Sequence, residues 1–245
     1  MEKIANEINI IVGCEESQAI TIELRKRGFN AFSCDLLPCS GGHPEWHIHG
    51  DLFKVIEGGY FTTQDGHNEL VDKWHAGIFH PPCTFLAGSA VQWLSHPEDK
   101  LLPFDERRPH PKYPKRREDM YYSVEFVKEL YNSIDICAIE NPVGLLSCRW
   151  KKPSQIIQPY QFGDEATKTT CLWLKGFPLL KHTNIVGKGE RTVFASGKSH
   201  PAWYAKSFSK SKEERQNARS KTFPGIANAI AKQWGDFLLT TPHGG

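Results

Sequence analysis

Ile8-Asn9-Ile10-Ile11-Val12 is a short β-branched run that stops at Gly13, where the apolar spacing changes from strand-like to helical. Ile20 and Leu24, separated by polar residues, lie on one face of a helix that should end near Arg27-Gly28. Glycine readily adopts the left-handed turn that closes a helix. Asn30 to Cys34 reads as a second strand ending at Asp35. Strand, helix and strand at this spacing predict a βαβ unit and a parallel sheet. Ala76–His80 and Ile134–Ile139 are further buried-strand candidates. Between them lie a Pro- and charge-rich stretch, Ser95 to Arg117, and a helical run from Glu118 to Tyr131. Two more strands are expected near Gln155–Gln161 and Thr170–Leu174, and a last helix from Pro224-Gly225 to about Trp234. The pattern predicts one α/β domain over residues 1–245, with a doubly wound, mostly parallel sheet and its chemistry at the strand C-termini.

Composition narrows the class without naming a function. With 245 residues, 39% of them hydrophobic and 24% charged, the chain can bury a full core. No stretch is apolar for long enough to cross a bilayer, and the N-terminus has no signal-peptide pattern. The seven cysteines are odd in number and scattered, so they read as reduced thiols in a cytoplasmic protein. A net charge of +2 identifies no partner, so its distribution matters more. Arg107, Arg108, Lys112, Lys115, Arg116 and Arg117 form one basic run, which reads either as a mobile loop (95–118) contacting phosphates or as a solvated loop. A second basic stretch, Lys198 to Lys221, contains Trp203 and Tyr204, which serve either as stacking platforms or as core aromatics.

Gly13-Cys14-Glu15-Glu16-Ser17, Asp35, Pro81-Pro82-Cys83 and Glu140-Asn141-Pro142 all fall at predicted strand ends. Gly13 makes either a tight turn or an opening through which a ligand approaches the backbone. Asp35 is either a cap or the acceptor for a ribose diol. The chain has no GxGxxG, which argues against a dinucleotide cofactor. Cys83 follows two prolines, so its thiol stands on a rigid turn at the crevice. A soft thiolate suits attack on C6 of cytosine, an addition that makes C5 nucleophilic. Glu140 can then protonate or hydrogen-bond N3, provided that burial raises its pKa. Cys34, Cys39, His43, His47 and His49 are the one cluster that invites a metal, but their spacing is irregular and no metal is expected.

Pro81-Pro82-Cys83 resembles the catalytic motif of the DNA cytosine-5 methyltransferases, and Glu140-Asn141-Pro142 resembles their Glu-Asn-Val motif. Ile11 to Ser17 is similar to their donor-binding loop, Gly50-Asp51-Leu52 to their adenine-contacting motif, and Pro224 to Trp234 to their C-terminal helix. His80-Pro81-Pro82-Cys83-Thr84 and Cys171-Leu172-Trp173-Leu174-Lys175-Gly176 resemble small phage and prophage relatives of those enzymes. The resemblance implies a Rossmann-like fold and S-adenosylmethionine as donor, in a bacterial or phage-infected cell. It assigns the donor to Val12, Gly13, Cys14, Glu15, Ser17, Asp35, Leu36, Asp51, Leu52, Pro81 and Asn228. Catalysis on cytosine in DNA falls to Cys83, Glu140, Asn141 and Lys168.

The departures matter as well. Glu15 and Glu16 stand where the family has glycines. Near Ala166 to Thr170, where a Gln-x-Arg-x-Arg motif is expected, only Lys168 is cationic; Arg149, Lys151 and Arg191 are the alternatives. The separate target-recognition domain of the family is reduced to the interval 175–223. Sequence specificity is then expected to be short or loose, or to come from another component. Two other readings follow: the same chemistry on a free pyrimidine nucleotide, or a non-catalytic nucleic-acid-binding relative, against which Cys83 and Glu140 argue. Adenine-N6 methylation wants an aromatic residue, not a thiol, after the two prolines.

Overall fold

The computed structural model of the chain describes residues 4–241, apart from the side chains at 213 and 216, so both ends of the expected domain 1–245 lie outside the described residues. The first nine strands are β1 (Asn9–Gly13), β2 (Asn30–Asp35), β3 (His47–His49), β4 (Gly59–Thr62), β5 (Asn68–Val71), β6 (Ala76–Phe79), β7 (Cys137–Pro142), β8 (Gln155–Ile157) and β9 (Thr170–Lys175). β4 and β5 form a hairpin, and the other seven build the central sheet in the order β3-β2-β1-β6-β7-β9-β8. All neighbours in that sheet pair parallel except at β9, which runs antiparallel to both β7 and β8. This is an α/β fold compatible with a Rossmann-like arrangement.

The helices are α1 (Ala19–Lys26), α2 (Arg116–Ser133), α3 (Leu146–Arg149), α4 (Ala202–Ala205), α5 (Lys212–Ser220) and α6 (Pro224–Thr240). α1 and α6 cover one face of the sheet and α2 the other, because its strands are apolar on both. Ile10 and Val12 of β1 join one core with α1 and α6. Ile11 between them joins the other core with α2. The alternation recurs in β9, where Leu172 faces the first core and Cys171 and Trp173 the second. Strand periodicity alone sends neighbouring side chains to opposite faces.

The observed elements correct several predicted boundaries. β7 begins at Cys137, later than the expected start at Ile134. β8 ends at Ile157 because Pro159, which has no N–H for a ladder, opens a 3₁₀ turn. α6 runs on to Thr240, since Leu238 is as deeply buried as Trp234. β3 and the β4–β5 hairpin have no counterpart in the pattern reading. His47-Ile48-His49 lacks an apolar run, but Asp65-Gly66 between Tyr60-Phe61 and Leu70-Val71 is a hairpin signal.

After β9, Phe177 stacks on Trp234 with ring centroids 4.5 Å apart. Residues 190–221 then form a small lobe: the hairpin β10 (Arg191–Val193) and β11 (Ser199–Pro201), followed by α4 and α5. Trp203 Nε1 ties this lobe to the domain by donating to Thr167 O at 3.2 Å.

Candidate active site

The loop between β1 and α1 is shaped by packing. A Cβ on Gly13 would lie 2.4 Å from Leu52 Cδ2 and 2.7 Å from Phe79 Cδ1, so side chains fill the space that the missing methyl leaves. Val12 and Leu52 are core residues. Cys14 and Gln18 adopt positive φ, at 59° and 56°, to carry the chain into α1. The Cys14 and Glu15 amides donate to Cys34 O at 2.7 and 3.4 Å and are taken up within the protein. Glu15, 4% exposed, points inward and satisfies the first turn of α1. Its carboxylate accepts from Ile20 N (2.7 Å), Thr21 N (3.3 Å) and Thr21 Oγ1 (2.7 Å). Burial raises its pKa, against the opposing charge of His80 and those hydrogen bonds. Ser17 is half-buried in the turn.

Asp35 and Asp51 lie at the ends of the adjacent strands β2 and β3. Each uses Oδ1 to cap its own turn, Asp35 accepting from Leu37 N at 2.9 Å and Asp51 from Phe53 N at 3.0 Å. Their charges are felt nearby: burial, then Asp35 and Asp51, push the Cys34 thiol up to about 12. The Cys14 thiol is raised by burial and by Asp35. Leu36 beside them is exposed, and its carbonyl meets His49 Nε2 at 3.0 Å. Asn228 donates its amide to Glu23 on α1 at 3.4 Å.

A second group gathers where β6 and β7 end. His80 N donates to Gly13 O at 2.9 Å just before the two prolines. Asn141, 1% exposed, clamps the turn by donating Nδ2 to Pro81 O at 2.8 Å, while its buried Oδ1 has no partner among the described residues. Cys83 O accepts from Leu86 N and Ala87 N, and Leu86 O accepts from Leu145 N at 2.7 Å. These bonds stitch the Cys83 loop to the residues after β7. Gly144 permits the contact, because a Cβ there would lie 2.0 Å from Leu86 O.

Cys83 itself is exposed. Desolvation by the surrounding walls and then the Glu140 charge raise its pKa, against Lys168. Glu140 departs from the sequence expectation in the opposite sense. Burial pushes its pKa up, but the His80 hydrogen bond (Nδ1 to Oε2, 3.1 Å) and the Lys168 and His80 charges outweigh it, and the pKa is lowered. His80, Glu140, Lys168 and Thr170 line one narrow crevice, together with Phe223 and Ile226. Lys168 is anchored there by donating Nζ to Lys221 O (3.1 Å) and Ser220 O (3.3 Å). Arg149 stacks instead on Phe104, Lys151 on Tyr131, and Arg191 donates to Ser199. Lys168 is therefore the cation that the fold brings to Glu140. His80 is the site residue that sequence reasoning missed, although its place directly before Pro-Pro-Cys at a strand end was an available signal.

The basic run is largely engaged within the protein. Arg108 pairs with Asp99 (2.7 Å) and Glu98 (3.1 Å), and Arg107 donates to Leu102 O and Lys100 O. Arg116 donates to Thr84 O, and Arg117 to Ser95 Oγ and Arg107 O. Lys112 and Lys115 are exposed. In the lobe, Trp203 packs edge-on to Phe223 and Tyr204, while Arg219 lies 3.9 Å over the Tyr204 ring. These aromatics hold the lobe together.

Among the described residues no group of three or more His, Cys, Asp or Glu side chains is arranged to hold a metal ion. Nor is any described helix long and apolar enough to cross a membrane. The residues that invited a metal have other partners: His47 bonds Ser33 Oγ and Leu37 O, and His43 stacks on Trp46. No protein-family model matches the chain, and no curated protein matches it.

Proposed function

We propose that this chain transfers a methyl group from S-adenosylmethionine to C5 of cytosine in DNA. The observation that carries the reading is that Glu140 and Lys168 line one crevice with His80, which opens the Pro81-Pro82-Cys83 turn carrying the exposed thiol. Cys83 Sγ adds to C6, Glu140 delivers a proton to N3, and Lys168 offsets the negative charge that gathers around the ring. After methylation, loss of the C5 proton and departure of Sγ restore the aromatic ring.

The donor fits the strand ends at Asp35 and Asp51. Each carboxylate spends Oδ1 on its own turn and leaves Oδ2 for a ligand, suited to a ribose diol or an amine. These acids give the strand ends a negative field, which suits a sulfonium and disfavours the phosphates of a dinucleotide. When bound, the donor supplies the electrophilic methyl. Val12, Leu52 and the Cys14 and Glu15 amides are engaged internally and shape this site from behind.

DNA is favoured over a free nucleotide by the lobe. Lys198, Lys206, Lys210, Lys212 and Lys221 are exposed there. Among the described residues no ion pair links a lobe cation to a carboxylate. The lobe adjoins the crevice through Lys168, so a phosphate backbone lying on it passes close to Cys83.

A trapping experiment tests the reading. DNA carrying 5-fluorocytosine has no C5 proton to lose, so methylation should leave a denaturant-resistant, donor-dependent adduct with the protein. Cys83→Ala should form none. An adduct that survives this substitution, or no adduct across varied sequences, refutes the mechanism.

A further inference from the structure

We propose that His80 is a positioning residue for the methyl transfer argued above, on which this inference rests: it holds Glu140 as a hydrogen-bonded carboxylate, so that Glu140 receives the Cys83 thiol proton on its way to N3. The geometry is specific. The His80 side chain is 11% exposed, and its Nδ1 lies 3.1 Å from Glu140 Oε2. Its backbone is fixed by Gly13 O on one side and Pro81-Pro82 on the other. Nε2 is buried with no partner among the described residues, which leaves Glu140 as the group that the ring bonds.

Charged groups face His80 from each neighbouring element. Glu140 comes from β7, Glu15 from the turn before α1 and Lys168 from the segment before β9. The α6 side contributes Phe223 and Ile226, neither of them charged. Glu15 is already held by three donors of α1. The ring that hydrogen-bonds Glu140 therefore acts on Glu140, the acid that lines the crevice.

This arrangement supplies the proton that N3 requires. A Glu140 already protonated has a proton for N3 but leaves the Cys83 thiol, itself raised, with no acceptor. Held as a carboxylate, Glu140 takes the thiol proton: the S–H bond breaks and an O–H bond forms. That O–H then breaks as N3–H forms, while the sulfur electron pair makes the S–C6 bond. Charge and protons balance, and no redox partner is needed. Because a carboxylate held low is a weak acceptor, proton transfer runs in concert with C–S bond formation.

The test is the carboxyl titration of Glu140, followed by carbon NMR in the full chain, alongside the pH profile of transfer to DNA. His80→Gln keeps a hydrogen-bond donor but removes the charge, so Glu140 should titrate about one unit higher or more. Transfer at the acid end should then fall about tenfold, with recovery at higher pH. A purely structural loss lowers the rate at all pH values and leaves the acid limb in place. Should His80→Gln not fold, Glu140→Gln gives the reciprocal reading: the nitrogen NMR signal of His80 Nδ1 should move once its carboxylate partner is gone. An unmoved Glu140 titration in the first variant, or an unmoved imidazole in the second, overturns the proposal. Shifted titrations in a chain that methylates no DNA leave the His80–Glu140 pairing standing and defeat the methyl-transfer reading alone.

Discussion

From Arg107 to Arg117 the guanidinium groups turn onto the protein, Arg108 onto Asp99 and Glu98 and the others onto carbonyls and a hydroxyl. In the lobe 190–221 the lysines face solvent, and among the described residues none forms an ion pair. Both stretches look alike as strings of basic residues. They differ in what lies beside each cation, and that decides which of them is open to phosphate. A paired guanidinium must first give up its carboxylate, whereas an unpaired lysine only displaces counterions from the nucleic acid.

The lobe should respond most strongly. Replacing Lys198, Lys206, Lys210, Lys212 and Lys221 together with Gln should lower DNA affinity by more than about tenfold at moderate salt and flatten its salt dependence. Donor binding, followed by calorimetry, should not change. An unaltered salt slope would move the phosphate contact elsewhere on the molecule.

Asp99→Asn probes the other stretch, with a more local result. Removing the partner of Arg108 should loosen residues 95–110, seen as faster amide exchange there. Acid should do the same. The Arg108 hydrogen bonds hold the Asp99 carboxyl down at about 2, against an ordinary 3.8. The contribution of the pair is therefore present above the ordinary value and is lost as pH falls from there through about 2. Unchanged exchange across that window would mean that the ion pair does not order the segment.

Lys112 and Lys115, exposed and without an ion pair among the described residues, should matter least. Their joint replacement by Gln should weaken DNA binding by only about two- to threefold, as expected for contacts of a few tenths of a kcal/mol. A loss as large as that of the lobe variant would erase the distinction between the two stretches.

Much of the fold was legible because it rests on local pattern. The β-branched run of β1, the Ile20–Leu24 spacing of α1 and the strand ending at Asp35 are each visible in a short window. β3 is not, because an edge strand of two histidines around Ile48 has no apolar run to betray it. Within the site, legibility ends where roles depend on residues distant in sequence. Gly13 is required by Leu52 and Phe79, which no local motif reveals. Glu15, standing where the resemblance leads one to expect glycine, is a buried acceptor for the first turn of α1. Burial alone predicts a raised Glu140, but His80, 60 positions away in the chain, reverses the direction.

Whether the chain methylates cytosine in DNA through Cys83 can be read from nucleoside mass spectrometry of DNA from cells expressing it. 5-Methylcytosine should rise above the host background with the native chain and not with Cys83→Ser, at equal protein levels. No increase with the native chain, or an equal increase with Cys83→Ser, would refute the assignment.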